Sequence, residues 1–397
     1  YLAANLEANH CVVEIIDGQA EDLHNEDIIA KVNEGGFALV GISFMTPMFD
    51  DVKELTDAIK NACHDVKIII GGPHSTALPQ KTLEEMPSVD FSCVGEGEHV
   101  IVDIVKHLNG ELPAKQINGI SFRDNNGTIV NNPARKGEAN LDTFPKPARH
   151  LLPMHKYKLT ASRTQGSRYC PTVIVARGCP FACSYCSHAF GRTFRRHSTE
   201  RIVEELRELK EQHNVKQVNI EADTLTINKK FVHELCRGMI DADLGLIWTC
   251  ESRVDTIDEE MLGIMKKAGC WQMSLGVETG SQRLLDSIEK GLTKEKIRKA
   301  VHLARNAGIG IRGFFMLGLP SETIAESMET INFAKELDPE WAQFTVTIPF
   351  PGTPMYEQLV RQNKMRHFRW SQYNTWGGWA DNNLPFIEDG RSEREIK

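Results

Sequence analysis

Between Thr172 and Phe350 one pattern recurs: a short run of β-branched and aromatic residues, then a longer stretch with apolar residues at helical spacing. The runs are TVIVARG (Thr172 to Gly178), QVNIEAD (Gln217 to Asp223), IWTCESR (Ile247 to Arg253), QMSLGVE (Gln272 to Glu278), GIRGFFMLG (Gly310 to Gly318) and QFTVTIPF (Gln343 to Phe350). Strands separated by helices cannot pair as hairpins. They lie parallel, with the helices as crossovers. Ile202, Val203, Leu206 and Leu209 mark the buried stripe of the first helix, and Thr256 with Glu259 predicts a capping-box start for another. Six strand-helix units make an incomplete (β/α)6 barrel of TIM type, in which chemistry sits at the C-terminal ends of the strands.

The segment before it also alternates, which predicts an α/β, doubly wound, Rossmann-like domain over residues 1–112. Its strand candidates are CVVEIID (Cys11 to Asp17), FALVGISF (Phe37 to Phe44), VKIIIGG (Val66 to Gly72) and FSCVGEGE (Phe91 to Glu98). Asn25 is expected to cap one helix, and Asp50 or Asp51 to open another. Such a domain ordinarily opens on a strand, whereas YLAANLEANH reads as a helix, so the first strand and its loop are expected to be missing from this sequence. Residues 113–170 hold a hairpin, NGISFRDNNGTIV, and a Pro- and Asn-rich linker. The barrel occupies 171–358, and 359–397, with Trp370, Trp376 and Trp379, forms a cap segment.

With 397 residues, 41% hydrophobic and 25% charged, the chain has the composition of a folded protein of two or three domains. A net charge of -8 excludes a protein whose main task is coating nucleic acid. No apolar run is long enough to span a bilayer, and no secretory pattern opens the chain, so the expected location is the cytoplasm. Seven cysteines, at 11, 63, 93, 170, 236, 250 and 270, are expected to be buried apolar side chains.

The other three stand apart. RGCPFACSYC places Cys179, Cys183 and Cys186 at the end of the first barrel strand. A structural zinc site needs a fourth ligand, for which His188 or His197 are candidates. A redox pair, Cys183 with Cys186, leaves Cys179 unexplained. Three thiolates can also hold an iron-sulfur cluster with one iron open. The basic run Arg192, Arg195, Arg196 and His197 reads as a solvated face.

RGCPFACSYC resembles the cluster loop of the radical S-adenosylmethionine (SAM) superfamily, including the aromatic Tyr185 before the third cysteine. IEADTLTIN resembles the family's second-strand acidic motif, with Ala222 in place of an acid. WTCESRVD, LGVETGS, FFMLGLPSET and PFPGTPMY resemble later strand ends. The resemblance implies a [4Fe-4S] cluster on Cys179, Cys183 and Cys186, and SAM on its open iron. It implies Arg253 for the SAM carboxylate and Glu278 or Asp223 for ammonium and ribose hydroxyls, with Gly318 and Gly276 allowing close backbone approach.

The loops SFMTPMF, GGPHST and GEGE, at the strand ends of the first domain, resemble those of the cobalamin-binding domain that precedes the barrel in many radical enzymes. The resemblance implies cofactor contacts from Ser43, Thr46, Gly71, Gly72, His74, Glu96 and Gly97. His74 has the alternative of shaping its own turn. The nearest string to D-x-H-x-x-G is DLHNED, with Asp27 in the glycine position, which implies a cobalamin without histidine on cobalt and leaves His24 as a helix-start residue. The implied activity is methylation of an unactivated carbon through a 5'-deoxyadenosyl radical and methylcobalamin. The implied partners are a small-molecule, natural-product-like substrate and a reducing protein such as flavodoxin or ferredoxin, with no specific nucleic acid. An anaerobic oxidative cyclase is the alternative, and a non-catalytic metal-binding module a third reading.

Overall fold

The computed structural model describes residues 1–166, 169–366, 369–374 and 386. The first sheet runs β1 (Leu39–Ser43), β2 (Lys67–Gly71), β3 (Phe91–Cys93), β4 (Ile120–Arg123), β5 (Ile129–Asn131) in that spatial order. The first three strands are parallel, and β4 and β5 are antiparallel to their neighbours. The hairpin expected after the first domain is therefore built onto the edge of its sheet. Its turn is closed by Asp124, whose carboxylate accepts the amides of Asn126 and Thr128, each at 2.9 Å.

Cys11 to Asp17, expected as a strand, belongs to no ladder. Its side chains find partners without one. Val13 and Ile15 pack on Ala3 and Ala4, Ile16 packs on the core around Val32 and Phe44, and Asp17 accepts the Tyr157 hydroxyl at 2.5 Å. Two helix starts shift by a residue or two. His24, not Asn25, caps Asn25–Gly35, with its amide donating to Asp27, and Asp258, not Thr256, caps Glu259–Lys267 by accepting the Met261 amide.

The second sheet begins with β6 (Thr172–Ile174). A two-stranded ribbon, β7 (Ala176–Arg177) with β8 (Arg195–Arg196), brackets the cysteine loop. Then come β9 (Gln217–Glu221), β10 (Ile247–Ser252), β11 (Cys270–Glu278), β12 (Gly310–Leu317) and β13 (Trp341–Val346). β6 and β9 to β13 are parallel and adjacent in chain order, a six-stranded open barrel wall. Alternation decides its two faces. Val218, Ile220, Trp248, Met273 and Leu275 are fully buried in the main hydrophobic core with the helices, each contributing roughly 1.5–3 kcal/mol. The intervening residues are polar. Asn219, Thr249 and Gln272 lie in register, and Glu251, Ser274 and Arg312 in register one level nearer the strand ends.

Cys93, Cys170, Cys236, Cys250 and Cys270 are buried as expected, whereas Cys11 and Cys63 are only half-buried. None of the ten forms a disulfide. Among the described residues no helix is long and apolar enough to cross a membrane. Trp370 packs on the first domain, donating to Glu85 at 2.7 Å. Trp376 and Trp379 lie outside the described residues.

Candidate functional site

The cysteine loop leaves β7 at Gly178, whose φ is +88°. A Cβ there would stand 2.1 Å from the Thr193 carbonyl oxygen, so the turn admits only glycine. Its amide donates to Asp223 at 2.5 Å, tying the loop to the end of β9. Burial pushes the Asp223 carboxyl up, against the opposing pull of that amide. Cys179 Sγ lies 3.6 Å from Thr224 Oγ1, and Cys183 Sγ accepts from the Arg253 guanidinium at 3.3 Å. Burial, and then the neighbouring Cys183 and Cys179, push the Cys186 thiol up to about 11. Two neighbouring sulfurs that oppose the ionisation of Cys186 form a site that a cationic group would relieve.

The histidines proposed for a zinc site are engaged elsewhere. His188 Nε2 is 2.7 Å from the Phe181 carbonyl, and His197 Nδ1 is 2.9 Å from Asp142 with its ring stacked on Tyr1. Among the described residues no three His, Cys, Asp or Glu side chains gather as they would around a single ion. Three cysteines with neither histidine at hand as a fourth ligand are a donor set that fits a cluster with one iron open.

Arg253 is 6% exposed and fixed on every side. Asp255 takes its Nε and one amino group at 2.9 and 3.0 Å, the Lys290 carbonyl accepts from it at 2.8 Å, and Phe181 lies 3.7 Å beneath its plane. Its donor fork is thus held by Asp255, and the amino group that remains points to Cys183. Glu278 ends β11 at φ +68° and binds both Tyr185 OH at 2.8 Å and Lys290 Nζ at 2.7 Å, while Lys290 Nζ also donates to Tyr185 OH at 2.8 Å. Gly276 makes room for this triad, because a Cβ there would lie 2.4 Å from the Glu278 carboxylate. Gly318 turns the chain after β12 at φ +76°. Lys290 carries no motif in the sequence: it is a single lysine in the connection between the helices Gln282–Ser287 and Lys294–Asn306.

A cavity of about 450 Å³ lies between the strand ends of the first sheet and the barrel. Ser43, Gly71, Gly72, Glu96 and Gly97 line it from one side, and Arg177 and Phe190 from the other. Gly72, at φ +103°, is forced to be glycine by the Phe44 carbonyl oxygen 2.3 Å from its missing Cβ. The volume and mostly apolar wall suit a large organic cofactor. Phe190 is four residues past Cys186, so one loop serves both the cavity and the cysteines. Thr46 and His74 are not on this cavity. They pair with each other at 3.2 Å, with the His74 ring among Phe44, Phe49 and Trp370.

Of the basic run expected to be a solvated face, Arg192 is exposed and Arg196 is half-buried against the barrel helix at Glu234, whereas Arg195 and His197 are part of the seam between the domains. Arg195 is 9% exposed and bonds Glu96, and His197 is buried. Arg177, which stood unremarked in RGC, binds Glu96 at 3.1 Å and Glu98 at 2.5 Å.

The radical SAM superfamily matches residues 173–334, and the B12 binding domain matches residues 1–105. An uncharacterized methyltransferase of Pyrococcus horikoshii is 37% identical over 377 residues, covering 94% of this chain and 80% of its own length. An anaerobic magnesium-protoporphyrin IX monomethyl ester cyclase of Rubrivivax gelatinosus is 30% identical over 381 residues, covering 94% and 67%. The cobalamin-dependent SAM radical enzyme OxsB, with aqua-cobalamin and SAM bound, superposes with a TM-score of 0.77 at 19% identity, over 91% of this chain and 57% of its own. The radical SAM methyltransferase TsrM from Kitasatospora setae, with cobalamin and a [4Fe-4S] cluster bound, gives 0.77 at 16% identity, over 98% and 84%. At such identities the two structures share the fold.

Proposed function

The chain belongs to the radical SAM family whose barrel is preceded by a B12-binding domain, and on that premise we propose that it methylates a carbon of a small-molecule substrate. Its cofactors are a [4Fe-4S] cluster, SAM and cobalamin. The observation that carries the reading is the shared loop, which presents Cys179, Cys183 and Cys186 at the barrel rim and Phe190 in the cavity of the first domain. When bound, the cluster supplies the electron that cleaves SAM, and cobalamin supplies the methyl group.

The residues have separable tasks. Cys179, Cys183 and Cys186 hold the cluster. Arg253 donates to the Cys183 sulfur and is kept from moving by Asp255, Phe181 and the Lys290 carbonyl. A donor aimed at a ligating sulfur stabilises its negative charge without reorganising. The carboxylate of Glu278, pre-neutralised by Lys290, is the group offered to the SAM ammonium. Ser43, Gly71, Gly72 and Gly97 cradle the cobalamin tail, and Glu96 joins that cradle to Arg177 and Arg195. The reductant is a low-potential one-electron carrier of the flavodoxin or ferredoxin kind.

The test is anaerobic reconstitution of the full chain with iron, sulfide and cobalamin, followed by SAM bearing a labelled methyl group and dithionite. Expected are 5'-deoxyadenosine and S-adenosylhomocysteine, and in substrate-containing extracts a product carrying the label. Cys183→Ala is expected to lose the iron-sulfur absorption and both nucleoside products. An intact absorption band in that variant overturns the ligand assignment. The Rubrivivax relative supports a second reading, oxidative ring closure, which predicts 5'-deoxyadenosine with no labelled product.

A further inference from the structure

We infer that the barrel lumen below the cysteine loop takes a small polar substrate, with an oxyanion such as a carboxylate or phosphonate on Arg312 and a hydrogen-bond donor on Glu221. This deepens the preceding reading and rests on it in one respect, that the barrel is the reaction chamber.

Strands of a parallel barrel normally fill its interior with branched apolar residues. Here the inward positions are Asn219, Thr249 and Gln272 at one level and Glu221, Glu251, Ser274 and Arg312 at the next. The lower level is closed. Thr249 donates to Asn219 at 2.9 Å, and Gln217, at the start of β9, exchanges bonds with the linker, accepting from the Gln165 amide and donating to the Arg163 carbonyl, each at 2.8 Å. The linker thus seals the end of the barrel away from the cysteines, and Arg163 reaches in to pair with Glu251.

Among the described residues that pairing leaves Arg312 and Glu221 without a direct ion-pair partner, with Glu251 and Arg163 acting on them only at longer range. Among the described residues Arg312 donates only to neutral oxygens, Ser162 Oγ at 3.2 Å and Gln343 Oε1 at 2.6 Å, and its buried Nε has no partner. Among the described residues no carboxylate is within ion-pair distance of it. Burial, then the Arg163 charge, work against its protonated form, and Glu251 opposes them. Among the described residues Glu221 accepts only from Asn219 Nδ2, at 2.8 Å; burial and then Glu251 push its carboxyl up, against Asn219 and the more distant Arg163. A guanidinium fork with an unused donor is matched by an oxyanion, and an underused carboxyl by an amine or hydroxyl. β10 and β11 separate the two residues, about 14 Å measured along the curved sheet. A hydrocarbon or flat macrocycle filling this lumen would leave both groups desolvated and unpaired.

The full chain is titrated calorimetrically with methylphosphonate, succinate, 4-aminobutanoate and, as an apolar probe, 1-hexanol. The two anions are expected to bind, and hexanol is not. Arg312→Gln is expected to weaken methylphosphonate by ~10-fold or more. Glu221→Gln should weaken 4-aminobutanoate while sparing methylphosphonate. If Arg312→Gln does not fold, Arg312→Lys, which keeps the charge and loses the fork, is expected to bind methylphosphonate several-fold more weakly. Equal methylphosphonate affinity in wild type and the Arg312 variant, or tighter binding of hexanol than of the anions, overturns the inference. SAM cleavage by the wild-type chain is read separately. Arg312-dependent binding without 5'-deoxyadenosine overturns the enzymatic reading and supports the lumen assignment, and the converse result does the reverse.

Discussion

Arg177 of the barrel donates to Glu98 of the first domain at 2.5 Å, with side chains only 3% and 7% exposed. The same guanidinium binds Glu96 at 3.1 Å and lies over the rings of Tyr1, Phe144 and Phe190. The two cofactor-bearing halves are therefore joined by a buried charge network beside the cavity, and relative motion there would expose unpaired charge.

Arg177→Met leaves two carboxylates buried beside one remaining arginine, so it should cost ~3–5 kcal/mol in urea unfolding. Glu98→Gln combined with Arg177→Met should recover part of that loss, because the orphaned charge is gone. A single variant of wild-type stability would show that solvent reaches the pair.

Lys290 and Tyr185 both bind Glu278, but only one of them carries charge. Lys290→Met strands a buried carboxylate and is expected to lower the thermal midpoint of the SAM-free protein, and, since the SAM ammonium then supplies the missing counter-charge, to tighten SAM binding several-fold in equilibrium dialysis. Tyr185→Phe removes one hydrogen bond to a charged group and should have the smaller effect on both. The reverse order would assign the tyrosine hydroxyl, rather than the charge balance, to SAM.

What could be read in advance follows from what is local in the chain. Strands β9 to β12 were placed to within about two residues at each end, since their periodicity is a property of consecutive residues. Cys11 to Asp17 has the same periodicity and is no strand, because pairing depends on a neighbour the segment does not have. The cysteines were legible from their spacing. Lys290, Arg177 and Arg312 were not, because their partners lie 12, 79 and 31 residues away. Within the basic run, Arg195 departs from a solvated face for the same reason: it finds Glu96 across 99 residues.

Gly178 and Gly191 both have positive φ and flank the cysteine loop, yet they differ in space. Gly178→Ala drives a Cβ onto the Thr193 carbonyl oxygen, so the reconstituted protein should carry little iron. Gly191→Ala meets nothing within 4 Å, and only the backbone penalty of ~1 kcal/mol remains, with iron content near normal. Iron and sulfide assays on the two variants distinguish a steric requirement from a general need for flexibility.

His74 is 1% exposed, its Nδ1 is held by Thr46, and its Nε2 has no partner. Burial, then the charge of Lys81, lowers its pKa from 6.5 to about 4. The surrounding rings of Phe44, Phe49 and Trp370 offer no acceptor for a second proton, and Glu85 is bonded to Trp370 Nε1. The unfolded chain takes up a proton near pH 6.5 that the folded one refuses until about pH 4. The stability tied to His74 is therefore complete above about pH 6.5 and is lost as pH falls toward 4. The loss amounts to ~3 kcal/mol at 1.36 kcal/mol per pKa unit. His74→Leu lacks this titration, so the stability gap between it and wild type should narrow or reverse between pH 7 and pH 4.5 in urea unfolding. A gap that stays constant across that range would place a proton acceptor beside Nε2.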